Sequence, residues 1–282
     1  MFTYLNGEIA LESEAVVPVT DRGFMYGDGL FESIRVHKGL KLRWFAHMAR
    51  LQQGLELLEI PFNFDPRQLQ EAARELIERN ELTDAVLRVQ ITRGSGKRGY
   101  SPRGAEHPTI VITSHPAPPL AEEPPRWKLK ESTIRIHSNN PLNSIKSLNK
   151  LPNIMAKAEA ERDGFDDAIM LNERDEVVEA SCANLFWIRD GVVRTPPDES
   201  GALPGITRNF IMDLAAMGEV ELQESATTMD DLRTAEGIFL SMSSRVMVEV
   251  EAVDEAPIPQ SPVFGRLREG FLYFLNKGQG LS

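Results

Sequence analysis

Few residues in this 282-residue chain are spaced for chemistry that type and spacing alone would name. Gly94-Ser95-Gly96-Lys97-Arg98-Gly99 satisfies the G-x-G-x-x-G pattern and follows a strand-like run. A dinucleotide site needs a helix to open at that turn, because its N-terminal N–H groups hold the pyrophosphate. Here Tyr100-Ser101-Pro102-Arg103-Gly104 follows, which cannot start one. The segment is therefore expected to be a flexible basic loop, suited to bringing Arg98 to a carboxylate. His37, His47, His107, His115 and His137 show no H-x-x-x-H or similar ligand spacing, so no metal is expected. The single cysteine, Cys182, excludes an intrachain disulfide and a cysteine zinc cage, and is expected to be a small buried hydrophobe. No G-x-S-x-G elbow and no G-x-x-x-x-G-K-[ST] loop occurs, which argues against serine-nucleophile and nucleotide chemistry. Lys146 lies in a polar loop just before a helical segment, where a lysine taken alone would be a solvated surface residue.

The elements that must position such residues fall on either side of a proline-dense tract, 116–125, which can neither extend a ladder nor continue a helix. It divides a smaller N-terminal α+β domain, 1–115, from a larger C-terminal domain, 126–282. In the first, strands over 1–5 and 8–17 flank the hairpin signal Asn6-Gly7. Residues 29–36 alternate apolar and polar as a half-buried strand would, and Lys38-Gly39 turns the chain. A helix over 45–58 places Met48, Leu51, Leu55 and Leu58 on one face, and 66–80 is a second helix. Strands follow over 87–92 and 109–113. Beyond the tract, strands are expected at 128–137, 167–171, 177–180, 184–188, 237–241 and 246–250. Helices are expected at 153–163, 207–217, 230–234 and 264–276, with Pro152 tolerable in a first turn. Intermingled strands and helices make the fold class α+β.

Composition narrows the function classes. Apolar residues at 41% and charged residues at 26% are those of a globular protein. The excess of 42 Asp+Glu over 31 Lys+Arg gives a net charge of -11, a sign that repels phosphate backbones and anionic lipid. No nucleic-acid or membrane partner is expected. With no 18-residue apolar run and no signal-like N-terminus, a cytoplasmic location is expected.

Four blocks, in order, give the chain a resemblance. They are Asp21-Arg22-Gly23-Phe24-Met25-Tyr26-Gly27-Asp28-Gly29-Leu30-Phe31-Glu32, Ile145-Lys146-Ser147-Leu148-Asn149, Val177-Val178-Glu179-Ala180-Ser181-Cys182-Ala183-Asn184-Leu185-Phe186, and Ser241-Met242-Ser243-Ser244. Together they resemble the class IV, or fold-type IV, pyridoxal-phosphate enzymes over nearly the whole chain. That family holds branched-chain aminotransferases, D-amino-acid aminotransferases and 4-amino-4-deoxychorismate lyases. The resemblance implies two α/β domains with pyridoxal 5'-phosphate in the interdomain cleft, and at least a homodimer. It implies that Lys146 forms the Schiff base and then, as a free amine of lowered pKa, moves the substrate Cα proton. Glu179 would keep the pyridine nitrogen protonated, so that the ring accepts the carbanion's electrons. Arg50 would bind the phosphate, with the N–H groups of Ile206 and Thr207 at a helix start and the hydroxyl of Ser243. Leu203 would pack on the ring. Phe31, Arg98, Tyr100 and Ser244 would face the substrate, those near Arg98 to Ser101 reaching a partner chain's pocket.

The subtype markers divide. Leu203-Pro204-Gly205-Ile206-Thr207-Arg208 is similar to the branched-chain aminotransferases, which usually place a tyrosine where this chain has Leu151. Lys146-Ser147-Leu148-Asn149 and Arg98 are closer to the D-amino-acid enzymes, which have a histidine at the position of Tyr100 and a tyrosine at that of Phe31. The 94–101 loop and 181–187 look most like the lyases, which often carry an asparagine at the position of Met242. The resemblance thus implies amino transfer between an amino acid and a 2-keto acid. The alternative is the lyase, which releases pyruvate and 4-aminobenzoate in the folate pathway.

Overall fold

A computed structural model describes residues 1–62, 64–218 and 220–277, which form two compact units. The first comprises Met1–Pro118 together with Ile145–Asn149. The boundary thus falls inside the expected proline linker, and Pro116 itself still pairs with Ala85. The lysine segment, expected in the C-terminal domain, packs with the N-terminal one. Its backbone supplies the reason: it lies along a strand of that unit and is hydrogen-bonded to it, as described below.

In the first unit, β1 (Phe2–Leu5) and β2 (Glu8–Leu11) form the expected hairpin, with φ of 50° at Asn6 and 107° at Gly7. β2 ends well short of residue 17, because the chain turns as the N–H groups of Glu14 and Ala15 bond to the Leu11 carbonyl. A short helix not expected from the sequence, α1 (Arg22–Tyr26), starts where the Asp21 carboxylate accepts from the N–H groups of Gly23 and Phe24. β3 (Gly29–His37), β4 (Leu40–Lys41), α2 (Trp44–Leu57), α3 (Pro66–Arg79), β5 (Ala85–Thr92) and β6 (Thr109–Pro116) complete it. The six strands order as β2-β1-β6-β5-β3-β4. Met48, Leu51 and Leu55 of α2 are buried, and the helix packs on β3. β3 departs from the half-buried reading: Leu30, Phe31, Glu32 and Ile34 are all buried.

The second unit comprises Pro119–Ser144 and Lys150–Lys277. Its elements are β7 (Arg126–Ile136), α4 (Leu151–Arg162), β8 (Asp167–Asn172), β9 (Val177–Ala180), β10 (Asn184–Arg189), β11 (Val192–Thr195), α5 (Ile206–Ala216), β12 (Leu222–Glu224), α6 (Met229–Arg233), β13 (Gly237–Met242), β14 (Val246–Val253), β15 (Ala256–Pro257) and α7 (Pro262–Lys277). Nine strands form one mixed sheet, β12-β11-β10-β13-β14-β7-β8-β9, with β15 on β14. The unbroken apolar run of β10 is explained by two cores. Leu185 and Trp187 join Leu240 and Val248 on one face, while Phe186 and Ile188 join Phe239, Phe210 and Phe271 on the other. Among the described residues no helix is long and apolar enough to cross a membrane.

Candidate active site

The lysine segment is held by main-chain bonds to β3. Ser147 bridges Leu30, the Phe31 N–H donates to the Lys146 carbonyl at 3.0 Å, and the Leu148 N–H donates to the Gly29 carbonyl at 3.0 Å. Ile145 and Ser147 are buried on either side of Lys146, which is itself half-buried rather than a solvated surface lysine. Its Nζ lies 4.8 Å from the centre of the Phe31 ring. Arg88, from β5, lies 3.8 Å from the same ring.

Arg88 was not among the residues expected at the site. It is half-buried, bonds Gln90 Oε1 through Nε at 3.2 Å, and has no carboxylate partner among the described residues. Burial pushes its pKa down. A cation there, without an anionic partner among the described residues, is chemically suited to a carboxylate or phosphate. The available signal was the alternation of Leu87, Val89 and Ile91 with Arg88 and Gln90, which sets Arg88 on the non-core face beside Phe31.

Arg50 is buried, and its orientation is fixed by a carboxylate below it. Glu32, on β3, accepts from Arg50 Nε and Nη2 at 2.7 Å each and pairs with His47 Nδ1 at 2.7 Å. Burial alone would raise the Glu32 carboxyl, but the charges of Arg50 and His47 outweigh it and bring the pKa to about 2. His47 is held below its ordinary value, mainly by burial and in part by Arg50 and Lys146, against the pull of Glu32. An ionised glutamate, a guanidinium, an imidazole and the lysine thus form one electrostatic cluster. Glu32 and His47 were missed because their role exists only once α2 packs on β3.

The second unit carries a separate set. Glu179, on β9, is half-buried, and its Oε2 accepts from the Leu203 N–H at 3.1 Å and from Asn184 Nδ2 at 3.3 Å. Asn184 also donates to the Leu203 carbonyl at 2.8 Å, so one amide ties the glutamate to the turn that opens α5. Gly205 is the N-cap of that helix, and no side chain caps it. A Cβ at 205 would fall 1.9 Å from Asn184 Oδ1, so glycine leaves room for the Asn184 amide where it bonds Glu179 and Leu203. Uncapped N–H groups at the start of α5, at Ile206 and Thr207, suit an anion. Arg208 is used otherwise: it is buried and bonds the Pro196 carbonyl and Glu224.

Ser243 and Ser244 are half-buried in the turn from β13 to β14. Val246 ends that turn with φ of 67°, a left-handed value that a β-branched residue rarely adopts. Ser241, opposite Asn184 in the sheet, has a buried hydroxyl with no hydrogen-bond partner among the described residues. Arg98 and Tyr100 join neither set: both stand exposed on a loop, Tyr100 at 88%. Cys182 corrects the expectation of burial. It is exposed in the turn after β9, its thiol 3.2 Å from Asp167 Oδ2, while Ser181 and Ala183 point inward. Among the described residues no group of three His, Cys, Asp or Glu could hold a metal ion.

The chain is similar to known proteins over most of its length. A family model described as amino-transferase class IV matches residues 29–253. A Methanocaldococcus jannaschii protein assigned as a branched-chain-amino-acid aminotransferase is 35% identical over 90% of this chain and 88% of its own length. An aminodeoxychorismate lyase of Vibrio harveyi is 34% identical over 80% of this chain and 83% of its own. The solved structure of a branched-chain amino acid aminotransferase of Escherichia coli superposes with a TM-score of 0.92 at 28% identity, covering 99% of this chain and 95% of that one. A second solved branched-chain amino acid aminotransferase, from T.th. and holding pyridoxamine 5'-phosphate, superposes with a TM-score of 0.91 at 28% identity. It covers 98% of this chain and 94% of that one.

Proposed function

Since the chain belongs to the class IV aminotransferase family, we propose that it is a pyridoxal-phosphate-dependent aminotransferase that moves an amino group between an amino acid and a 2-keto acid through Lys146. The observation that carries this reading is the half-buried Lys146 amine, set beside Phe31, with the Arg88 guanidinium, which has no carboxylate partner among the described residues, on the same ring. The donor set fits the cofactor. A buried, pre-oriented arginine and an uncapped helix start suit its phosphate, a carboxylate held by neutral donors suits its ring nitrogen, and the orphaned Ser241 hydroxyl awaits a polar partner. When bound, pyridoxal phosphate supplies an aldehyde for a lysine amine and a ring that accepts the electron pair left at the substrate Cα.

The residues then divide the work. Glu32 holds Arg50 so that a phosphate meets a guanidinium already in place, without loss of rotamer freedom on binding. Ile206 and Thr207 offer main-chain N–H groups to the same anion. Glu179, fixed by Asn184 and the Leu203 N–H, shares a proton with the ring nitrogen, while Leu203 covers the ring. Lys146 Nζ would take the proton from the substrate Cα and deliver it to the carbon that ends up bearing the amino group. Arg88 receives a substrate carboxylate, and Ser243 and Ser244 add hydroxyl donors to the anionic groups. Under this reading the enzyme works as a homodimer. The exposed Val19, Phe24 and Tyr100, each more than 75% accessible in the single chain, support association.

A second reading, the aminodeoxychorismate lyase, is supported by the Vibrio harveyi relative. Both reactions begin with loss of the same Cα proton and differ in what leaves afterwards. Protein supplied with pyridoxal phosphate should gain a near-visible absorption band that Lys146→Ala lacks; no band in the wild type refutes the reading. Added separately, L-glutamate or D-alanine should abolish the band if the protein is a transferase, and which one does so reports its stereochemistry. Pyruvate release from aminodeoxychorismate without an amino acceptor would instead establish the lyase.

A further inference from the structure

The loop that carries Arg98 and Tyr100 is anchored by a residue with no part in the chemistry above. Arg22, the first residue of α1, is only 4% exposed. Its Nε donates to Asp28 Oδ2 at 2.8 Å, Nη1 to the carbonyls of Gly99 at 2.9 Å and Ser101 at 3.1 Å, and Nη2 to the carbonyl of Tyr100 at 3.0 Å. One guanidinium therefore gathers three consecutive loop carbonyls. A backbone turned inward this way sends its side chains out, as the exposure of Arg98 and Tyr100 shows. Tyr26 closes the same clasp. Its hydroxyl accepts from the Gly99 N–H at 2.9 Å, and its ring packs against both Arg22 and the edge of Tyr100. Gly96 leaves the room, since a Cβ there would come 2.9 Å from Arg22 Cδ.

The anchor is itself anchored. Asp28 Oδ2 also accepts from Arg93 Nε at 2.8 Å, and Arg93 bonds the carbonyls of Leu58 and Glu59 just beyond α2. The neighbours of Asp28 hold the lysine segment: the Gly27 carbonyl accepts from Asn149 Nδ2, and the Gly29 carbonyl from the Leu148 N–H. One corner of the first unit thus fixes both the loop and the segment that carries Lys146.

We propose that Arg22 is a positioning residue for substrate recognition, fixing the carbonyls of Gly99, Tyr100 and Ser101 so that Arg98 and Tyr100 leave the loop in one direction. Their target is a carboxylate-bearing substrate. The inference rests on the reading of this protein as an aminotransferase and of that loop as substrate-facing. Lysine at position 22 would keep the charge and one bond to Asp28, but could not span three carbonyls.

The test compares wild type, Arg22→Lys and Tyr26→Phe, all loaded with pyridoxal phosphate. Trypsin can cut after the exposed Lys97 or Arg98, so its rate reads the freedom of the loop. Losing the fork should speed that cut about tenfold in Arg22→Lys, and raise KM for the amino donor and the keto acid about tenfold, with kcat within about threefold. The near-visible band should be unchanged. Tyr26→Phe, which keeps Arg22, should move cutting and KM the same way by about threefold, and it carries the test if Arg22→Lys does not fold. Wild-type cutting rates in both variants would overturn the clasp. Faster cutting with unchanged KM, or a fall in kcat with loss of the band, would overturn the role in recognition. A wild type that shows no band and no transamination would refute the functional reading, and with it the role in recognition, while the cutting rates would still decide whether the clasp exists.

Discussion

Around Lys146 the first unit sets formal charges against one another in a buried place, whereas in the second unit an amide side chain and a main-chain N–H donate to the Glu179 carboxylate. Glu32 is fully buried between Arg50 and His47. Glu179 is half-buried, and its described partners are the Asn184 side chain and the Leu203 N–H. The two glutamates thus have different costs of removal. Taking the charge from Glu32 strands a buried guanidinium, while taking it from Glu179 leaves neutral donors that an amide can still satisfy. One carboxylate is tied to charged side chains, and the other to an amide side chain and a main-chain N–H.

Exchanging each glutamate for glutamine should separate these settings. Glu32→Gln is expected to lower stability by about 3 kcal/mol, the penalty for leaving a buried charge uncompensated. Glu179→Gln should leave stability within about 1 kcal/mol of wild type. It should keep the near-visible band, yet slow turnover by about a hundredfold or more through the lost proton partner. Chemical unfolding and single-turnover rates check the pair, and equal stability losses would erase the distinction.

The pH dependence gives an independent reading of Glu32. Its carboxyl titrates at about 2 in the folded protein, against an ordinary value of 4.5. The stability from its ionisation is therefore fully present above about pH 4.5 and is lost as the pH falls toward about 2, amounting to about 3 kcal/mol. His47, depressed by burial, also loses stability on acidification, beginning nearer its ordinary 6.5. In Glu32→Gln the lower of these two losses should vanish.

The same contrast explains what could be read from the sequence. Lys146 and Glu179 could be singled out because the family resemblance rests on short contiguous blocks that contain them. The Asn6-Gly7 hairpin and the apolar face of α2 were legible because turn chemistry and helical period are local. Glu32 was not, since it falls on the face of Leu30, Ile34 and Val36 and the strand itself supplies no partner for a carboxylate there. Only the packing of α2 on β3, bringing Arg50 and His47, makes its burial affordable. Nor could chain order show that Ile145–Asn149 returns to β3, because main-chain bonds to Gly29 and Phe31 leave no residue signature. Arg88 and the exposure of Cys182 likewise depend on what neighbouring strands bring beside them.

The amide-built set depends on clearance, and a single methyl should disturb it. Gly205 has φ of -72° and ψ of 134°, which alanine adopts without strain, so Gly205→Ala tests space alone. The new Cβ would fall 1.9 Å from Asn184 Oδ1, forcing that side chain away from Leu203 and Glu179. Cofactor retention should weaken about tenfold or more, with a stability loss of about 1–2 kcal/mol. Equilibrium dialysis against pyridoxal phosphate measures the first, and wild-type retention would show that Asn184 does not organise this set.

The smallest expected effect has the sharpest sign. Ser241 stands opposite Asn184 in the sheet, and its buried hydroxyl has no partner among the described residues. An unpaired buried hydroxyl costs about 1–3 kcal/mol of desolvation. Ser241→Ala should therefore leave the cofactor-free protein as stable as wild type or up to about 1 kcal/mol more stable. If the hydroxyl finds its partner in the bound cofactor, or in a water ordered by it, the loaded variant should instead be less stable than the loaded wild type. The gain in unfolding temperature on adding pyridoxal phosphate would then be smaller in the variant. Equal gains in both proteins would make Ser241 a packing residue, and the second unit would hold its ligand through the α5 start and Glu179 without it.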